Sequence, residues 1–401
     1  EYGFTKTYGS KAPEKEASAG STLANVLVSA PIQGLELEKP YHYRIAAKNS
    51  SGTTYGEDRT VIPSKWSNRA YPSEPSWVED WLNHVSCSTP SSCMAVGYYY
   101  HEGLRPEPNQ ALTYQLVGGQ WVQRTVPLNE GETFPELRDV ACTSPNSCIA
   151  VGNVGVGEHY KPQIARWNGT SWSRESVSLP AGSIAAELNG VSCVTETECV
   201  AVGSVENSSS VWVNFSALLS HGSWISLTTP TSGESTESVL TSVSCATTTS
   251  CVAVGWYNPS GGGGSKPFSL VLANGAWSYQ SRTTNGFLEG VTCTSAEFCV
   301  AVGTHYGAGP STEIWNGTAW SAPSTPELPD VEGGYLTDVS CLSPTDCTAV
   351  GAGYSKVTNR QTVATVAVTW DGTSWKEQST PRESEIATNA LTGVSCIGAE
   401  G

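Results

Sequence analysis

The chain has 401 residues and a formal net charge of −16 at pH 7. The acidic excess and the lack of any Lys/Arg-rich run argue against nucleic acid or an anionic membrane surface as a partner, because phosphate binding needs clustered basic side chains. No apolar stretch approaches the ~20 residues of a membrane span, and charged residues make up only 14% of a composition rich in Gly, Ser, Thr and Trp, which favours short strands over helices.

Residues 1–63 contain neither cysteine nor tryptophan, and alternation along YHYRIAAK at 41–48 predicts a strand. Leu35 precedes Tyr41 by six positions. This spacing, within 34–63, resembles the last two strands of a fibronectin type III domain, in which the tyrosine bonds back to the backbone and caps a corner. The family usually has proline two positions after the leucine, where this chain has Leu37. The resemblance implies that 1–63 is an incomplete fibronectin type III-like domain; an unrelated β-sandwich remnant is the alternative.

The remaining chain, 64–401, repeats with a period near 50 residues. Leucine stands five positions before and valine two positions before each of seven cysteines, which are Cys87, Cys142, Cys193, Cys245, Cys293, Cys341 and Cys396. Six of these cysteines are followed six positions later by a second cysteine and then, after one further residue, by Ala-Val-Gly. A fixed period of this length is typical of repeat architectures such as propellers and solenoids.

Each repeat predicts four short antiparallel strands. LxxVxC and CxAVG are the first two, and the segments around RWNGTSW, LANGAW, IWNGTAW and TWDGTSW form a second hairpin, for which Asn-Gly and Asp-Gly favour type I′ turns. A four-stranded unit of ~50 residues is the size of a propeller blade. The predicted fold is therefore all-β, with six complete blades at about 80–381.

The two ends of the repeat region bear on how the ring closes. SKWSNRAYP at 64–72 matches the fourth strands and lies the usual distance before Cys87, so 64–75 is predicted to be an orphan outer strand. Residues 382–401 match the start of a further blade. We expect both ends to be cut from a natural protein of seven or more blades; a straight solenoid is the alternative, but it has no use for an orphan strand.

The cysteine pairs are predicted to be disulfides that flank hairpin loops, since facing residues of an antiparallel pair are close enough to be bridged. The predicted pairs are Cys87–Cys93, Cys142–Cys148, Cys193–Cys199, Cys245–Cys251, Cys293–Cys299 and Cys341–Cys347. Reduced buried cysteines and a metal or redox role are the alternatives, but this spacing is not a zinc-finger spacing and redox catalysis would need one special pair. No metal or cofactor is predicted. Disulfides in every blade indicate an oxidising compartment, so we expect a secreted or cell-surface protein.

The motifs LxxVSCxSxxxCxAVG and WNGxxW resemble those of uncharacterised secreted bacterial repeat proteins that often accompany fibronectin-like modules. The resemblance implies architecture and compartment but no activity.

Function is expected in the segments after each AVG, which vary most in length and content. Their aromatic side chains are the candidate ligand-binding residues, which are Tyr98, Tyr99, Tyr100, Tyr160, Trp256, Tyr257, Tyr306 and Tyr354. Exposed aromatics suit sugar rings or protein patches, so the favoured function is non-catalytic recognition or adhesion by a monomer that binds an extracellular glycan or protein. The alternatives are a propeller lyase or glycosidase, which would need one asymmetric catalytic cluster, and a purely structural display protein; packing between blades is the alternative role for any one ring.

Overall fold

The computed structural model describes residues 1–12, 35–36, 39, 41–61, 66, 78–101, 110–233, 235–329, 331–356, 363–380 and 389–398. The chain divides into two compact units, one formed by Glu1–Asn68 with Gln378–Pro381 and the other by Arg69–Glu377 with Arg382–Gly401. The predicted boundary at 63/64 lies outside the described residues, as does the predicted strand 64–75 apart from Trp66. The domain limits therefore remain a prediction.

The first unit contains five short strands, β1 (Tyr2–Gly3), β2 (Tyr41–Tyr43), β3 (Ala46–Asn49), β4 (Gly52–Tyr55) and β5 (Arg59–Val61). They form a sheet of order β1-β2-β5 and the separate hairpin β3-β4. Tyr41 is buried, and its hydroxyl accepts a hydrogen bond from the Glu36 backbone N–H at 3.0 Å. A tyrosine bonded back to the preceding backbone is the contact expected from the sequence, while the assignment to the fibronectin type III family stays a prediction.

The second unit is an all-β propeller with six blades. Blades 1 to 3 contain β6 (Val78–Thr89), β7 (Ser92–His101), β8 (Gln110–Val117), β9 (Gln120–Gln123); β10 (Glu132–Ser144), β11 (Ser147–Val156), β12 (His159–Trp167), β13 (Trp172–Glu175); and β14 (Ala185–Thr195), β15 (Glu198–Glu206), β16 (Trp212–Ser220), β17 (Ser223–Leu227). Blades 4 to 6 contain β18 (Ser235–Thr247), β19 (Ser250–Pro259), β20 (Lys266–Ala273), β21 (Ala276–Ser281); β22 (Gly286–Ser295), β23 (Phe298–His305), β24 (Gly309–Trp315); and β25 (Val331–Ser343), β26 (Asp346–Ser355), β27 (Val363–Trp370), β28 (Trp375–Glu377). Each blade is an antiparallel meander, and in blade 5 two isolated bridges, Trp315–Trp320 and Thr312–Ser324, stand where the other blades have a fourth strand.

A β-bulge in the first strand of every blade explains the glycine of AVG. In blade 6 the register between β25 and β26 shifts between Leu336 and Asp338. The shift pushes the backbone of Tyr335 and Leu336 over Gly351, where a Cβ would overlap the Tyr335 carbonyl oxygen. The same overlap recurs at the corresponding glycines, which are Gly97, Gly152, Gly203, Gly255 and Gly303. The repeated glycine therefore permits close approach of two backbones.

A ladder of serine hydroxyls joins the innermost strands at three junctions between neighbouring blades. The backbone N–H of the first cysteine of one blade donates to the serine that precedes the equivalent cysteine of its neighbour, at 2.9–3.0 Å, as between Cys142 and Ser86. Residues 391–396 continue this ladder on both sides: Cys396 N–H donates to Ser340 Oγ, and Cys87 N–H donates to Ser395 Oγ, each at 3.0 Å. This segment therefore lies between β25 and β6 and closes the ring of inner strands.

The repeated fourth-strand tryptophans pack between blades. The indole N–H of Trp172 donates to Thr113 Oγ1 of the preceding blade at 3.1 Å, and Trp277 donates to Ser216 Oγ in the same way at 2.9 Å. Both rings are at most 8% exposed and belong to the interblade core. A buried indole needs a partner for its N–H, and here the neighbouring blade supplies it.

The glycine hairpins form as predicted, but not all have the expected turn. Asn274 and Gly275 both have positive φ, 53° and 79°, as a type I′ turn requires. In the WNGT turn of blade 2 only Gly169 is left-handed, and the side chain of Asn168 accepts hydrogen bonds from the N–H groups of Thr170 and Ser171. The type I′ expectation is therefore wrong for this turn, because the asparagine side chain stabilises a longer loop.

All six predicted disulfides are present, each between paired residues of the first hairpin, and Cys396 is a free thiol. Closing a loop of this length stabilises a protein by about 2.4 kcal/mol in the chain-entropy model.

We expect the double variant Cys193→Ala/Cys199→Ala to lose about 2 kcal/mol of unfolding free energy, measured by urea denaturation. The single variant Cys396→Ala is the control and should change stability much less; equal losses in the two proteins would contradict this role for the disulfide.

Candidate binding pocket

A cavity of about 360 Å³ lies against the inner strands of blades 2 to 5. It is lined by residues within three positions of the repeated leucine of each first strand, together with one tryptophan from a second strand. The lining side chains are those of Arg138, Glu187, Asn189, Glu237, Val239, Thr241, Trp256 and Glu289. Four blades thus contribute to one site, and their contributions differ although the blades share one sequence pattern.

Arg138 holds one wall of the pocket in place. Its Nη1 lies 3.0 Å from Glu187 Oε2 in the next blade and also donates to Asn189 Oδ1, while Nη2 lies 3.5 Å from Glu136 Oε2. The Asn189 amide in turn donates to the Leu240 carbonyl at 2.8 Å. These bonds hold the side chains of Arg138 and Asn189 in place where they line the cavity.

Two further glutamates line the pocket. Glu237 accepts a hydrogen bond from Asn258 Nδ2 at 2.9 Å, and Asn258 is itself held by Ser265, which donates to its Oδ1 at 2.7 Å. Glu289 has no hydrogen-bond or ion-pair partner among the described residues. Burial raises the pKa of Glu289 to about 7, because a carboxylate without a compensating partner is poorly solvated there.

A row of aromatic rings leads away from the pocket. Trp256 packs edge-to-face against Phe287 at a centroid distance of 5.2 Å, and Phe287 packs in the same manner against Tyr306 at 5.4 Å. Tyr306 is 46% exposed. The aromatic row therefore connects the tryptophan of the pocket wall to an exposed ring at the surface.

The structure separates the eight aromatic residues predicted from the sequence. Trp256 lines the pocket and Tyr306 ends the aromatic row, whereas Tyr160 and Tyr354 are 47% and 51% exposed and do not line this pocket. Tyr98 is half-buried, and Tyr100 is described only as part of strand β7.

Two of the eight residues have structural positions instead. Tyr99 is only 7% exposed in the core of blade 1, where it packs with Tyr114. Tyr257 packs against the core of blade 4 and meets Phe268 edge-on at 6.2 Å. These two rings do not form the exposed binding surface that was predicted. Both stand at the second position after AVG, which faces the core, because alternate residues of a strand face opposite sides.

A charged cluster lies elsewhere among the inner strands. His84 of β6 stands between two buried carboxylates, with Nδ1 2.7 Å from Asp139 Oδ1 and Nε2 3.0 Å from Asp338 Oδ2. Each aspartate also accepts backbone N–H bonds, Asp139 from Val191 and Asp338 from Val394. Burial opposes a charged imidazole, but the two carboxylates outweigh it and raise the pKa of His84 well above its usual value. This cluster links blades 1, 2 and 6.

Among the described residues no group of His, Cys, Asp and Glu is arranged to hold a metal ion.

Apart from Trp256, sequence reasoning missed the pocket. Most of its polar residues stand next to the repeated leucines, as Glu187 and Asn189 stand on either side of Leu188, while Glu237 stands three positions before Leu240. These are the variable positions within an otherwise repeated segment. Variation inside the LxxVxC segment, rather than in the loops after AVG, was the signal that could have found them.

Comparisons with known proteins show likenesses of fold. No protein-family model matches the chain, and no curated protein matches it. Among solved structures, a protein of unknown function from Dyadobacter fermentans is 10% identical with a TM-score of 0.48, and the match covers 70% of this chain and 96% of that one. Aleuria aurantia lectin, in complex with Fucalpha1-6GlcNAc, is 10% identical with a TM-score of 0.44, over 75% of this chain and 94% of the lectin.

A Hadza microbial sialidase is 10% identical with a TM-score of 0.47, over 68% of this chain. The match spans 63% of the sialidase, which is less than two thirds of its length. At these identities the likenesses concern the propeller fold alone.

Proposed function

We propose that the propeller is a non-catalytic, secreted or cell-surface recognition protein that binds carbohydrate in the pocket beside Trp256. The observation that carries the proposal is the combination of an indole wall with hydrogen-bonding side chains around one cavity. Its volume of about 360 Å³ is within the usual range of small-molecule sites.

The chemistry of the lining residues suits a sugar ring. One face of a pyranose presents C–H groups that pack on an aromatic side chain, while its hydroxyls need donors and acceptors at the rim. Trp256 offers the apolar face, and Asn189, Glu187 and Glu237 offer polar atoms that neighbouring bonds already hold in position. Prior ordering of these groups lowers the entropic cost of binding.

The six disulfides support the compartment, since such bonds form and persist where the environment is oxidising. The described residues include no helix that is long and apolar enough to cross a membrane. Presentation outside the cytosol would give the pocket access to extracellular glycans.

Binding is tested first on a glycan array and then by calorimetry with the best glycan. We expect Trp256→Ala to weaken binding roughly tenfold or more, because loss of a central aromatic contact removes a large part of the binding energy. Tyr160→Ala is the matched control, since that ring is exposed in blade 2 but does not line the pocket. Equal effects of the two substitutions, or no glycan bound by the unaltered protein, would refute the proposal.

A glycosidase is the second candidate, and one observation favours it. Glycosidases pair a protonated carboxylic acid with an ionised carboxylate, and the pocket contains Glu289, with its pKa raised to about 7, together with Glu187 and Glu237. Incubation of the bound glycan with the protein, followed by mass spectrometry, distinguishes the two functions. Intact glycan is expected for the recognition protein, and shortened glycan that disappears with Glu289→Gln would indicate the enzyme.

A further inference from the structure

We propose that the pocket selects sugars that carry a protonated amine, as unacetylated hexosamines do, over neutral sugars with the same ring. This preference rests on the carbohydrate site proposed above. Three of its eight lining residues are glutamates and one is an arginine. Such an imbalance favours a ligand that brings positive charge.

The arginine is already neutralised. Arg138 is bound by Glu187 of the next blade and lies close to Glu136 of its own strand. Two carboxyl groups of the pocket, Glu237 and Glu289, therefore have no cation among the lining residues. Glu237 is ordered by an amide hydrogen bond from Asn258, which fixes the carboxylate without balancing its charge.

Glu289 offers an unpaired carboxyl group to a ligand in the pocket. It lines the cavity, is half-buried, and has no polar partner within the described part of the chain. A half-buried carboxylate without a partner is less well solvated in its ionised form than one in open water. A ligand ammonium group supplies both the hydrogen bond and the charge that Glu289 lacks.

The aromatic wall fits the same ligand. Trp256 lines the cavity together with Glu237 and Glu289. The face of an indole attracts cations and also packs against sugar C–H groups. An amino sugar uses both properties, whereas a neutral sugar uses only the second. A metal ion is a poorer match, because the described carboxylates are not grouped as metal ligands.

The test compares two tetrasaccharides of the same linkage, the β-1,4 tetramer of glucosamine and its fully N-acetylated counterpart, by calorimetry at pH 7. We expect the amine form to bind roughly tenfold more tightly, as one charge-assisted hydrogen bond accounts for that ratio. The difference should shrink at 0.5 M NaCl, since salt screens the attraction.

The variants Glu289→Gln and Glu237→Gln should each reduce the preference for the amine while retaining binding of the acetylated tetramer. Both replace a carboxylate by an amide of the same shape, and two independent variants keep the test valid should one misfold. Glu158→Gln is the matched control, because it removes the same charge from an exposed turn outside the pocket.

The outcomes separate the two proposals. Equal affinities for the two tetramers, both abolished by Trp256→Ala, would overturn the amine preference and leave the carbohydrate site standing. A preference that persists unchanged in both glutamine variants would also overturn it, because the preference would then come from the net charge of the whole chain. Failure to bind either tetramer, with no glycan bound on an array, would overturn both proposals.

Discussion

Replacing Gly351 by alanine is expected to destabilise the propeller by about 3 kcal/mol or more. The new Cβ would overlap the Tyr335 carbonyl oxygen and stand 2.8 Å from Leu336 Cα. Both obstacles are backbone atoms of the adjacent strand, so relief requires the β25–β26 hairpin to separate. Overpacking that moves backbone typically costs 1–3 kcal/mol and sometimes more. The unfolding free energy is measured by urea denaturation.

Gly261→Ala is the control for this experiment. Gly261 lies in the loop between β19 and β20, and a Cβ added there would have no other atom within 4 Å. Its substitution should change stability by no more than about 0.5 kcal/mol. If Gly351→Ala were as mild as Gly261→Ala, close approach of two backbones would not be the reason for the repeated glycine.

Replacing His84 by leucine is expected to cost about 3 kcal/mol at pH 6. The substitution leaves Asp139 and Asp338 buried and facing each other across the site without the intervening imidazolium. Removing one partner of a buried ion pair typically costs 3–5 kcal/mol, and the lower end applies because His84 is only half-buried.

The effect should depend on pH in a defined direction. The pKa of His84 is raised in the folded protein, so its contribution to stability is complete below the unfolded value of about 6.5 and is lost as pH rises through the folded value. The difference between the original protein and His84→Leu should therefore narrow between pH 6 and pH 9. His159→Leu, at an exposed site in blade 2, should show little difference at any pH. A difference that stays constant with pH would contradict a charged His84.

Much of the propeller could be predicted because its determinants are local and repeated. The leucine, valine, cysteine and glycine of each first hairpin recur at fixed spacing, so the blades and the favoured disulfide pairs could be predicted from it. The contact between Tyr41 and the Glu36 backbone is of the kind that the resemblance to fibronectin type III domains implied. The type of turn at Asn168 could not be predicted from the Asn-Gly pair, because the asparagine side chain accepts hydrogen bonds from the N–H groups of the turn.

The pocket could not be predicted in the same way, since its residues come from four blades and lie together only when the ring forms. Spacing places Glu187 and Glu289 next to repeated leucines and Glu237 three positions before one, but it does not place them around one cavity. Alternation could have removed Tyr99 and Tyr257 from the binding candidates. Each lies four positions after the alanine of AVG and therefore faces the same side of its strand as that buried alanine. The His84 cluster likewise joins strands that are far apart in the sequence, and no local motif marks it.

The most direct test of the central claim is a crystal structure of the protein soaked with the glycan that binds best on the array. The account predicts a sugar ring against the indole of Trp256, with its polar groups within hydrogen-bonding distance of Glu237 or Glu289. Density for the glycan at another site, with the pocket beside Trp256 unoccupied, would contradict it.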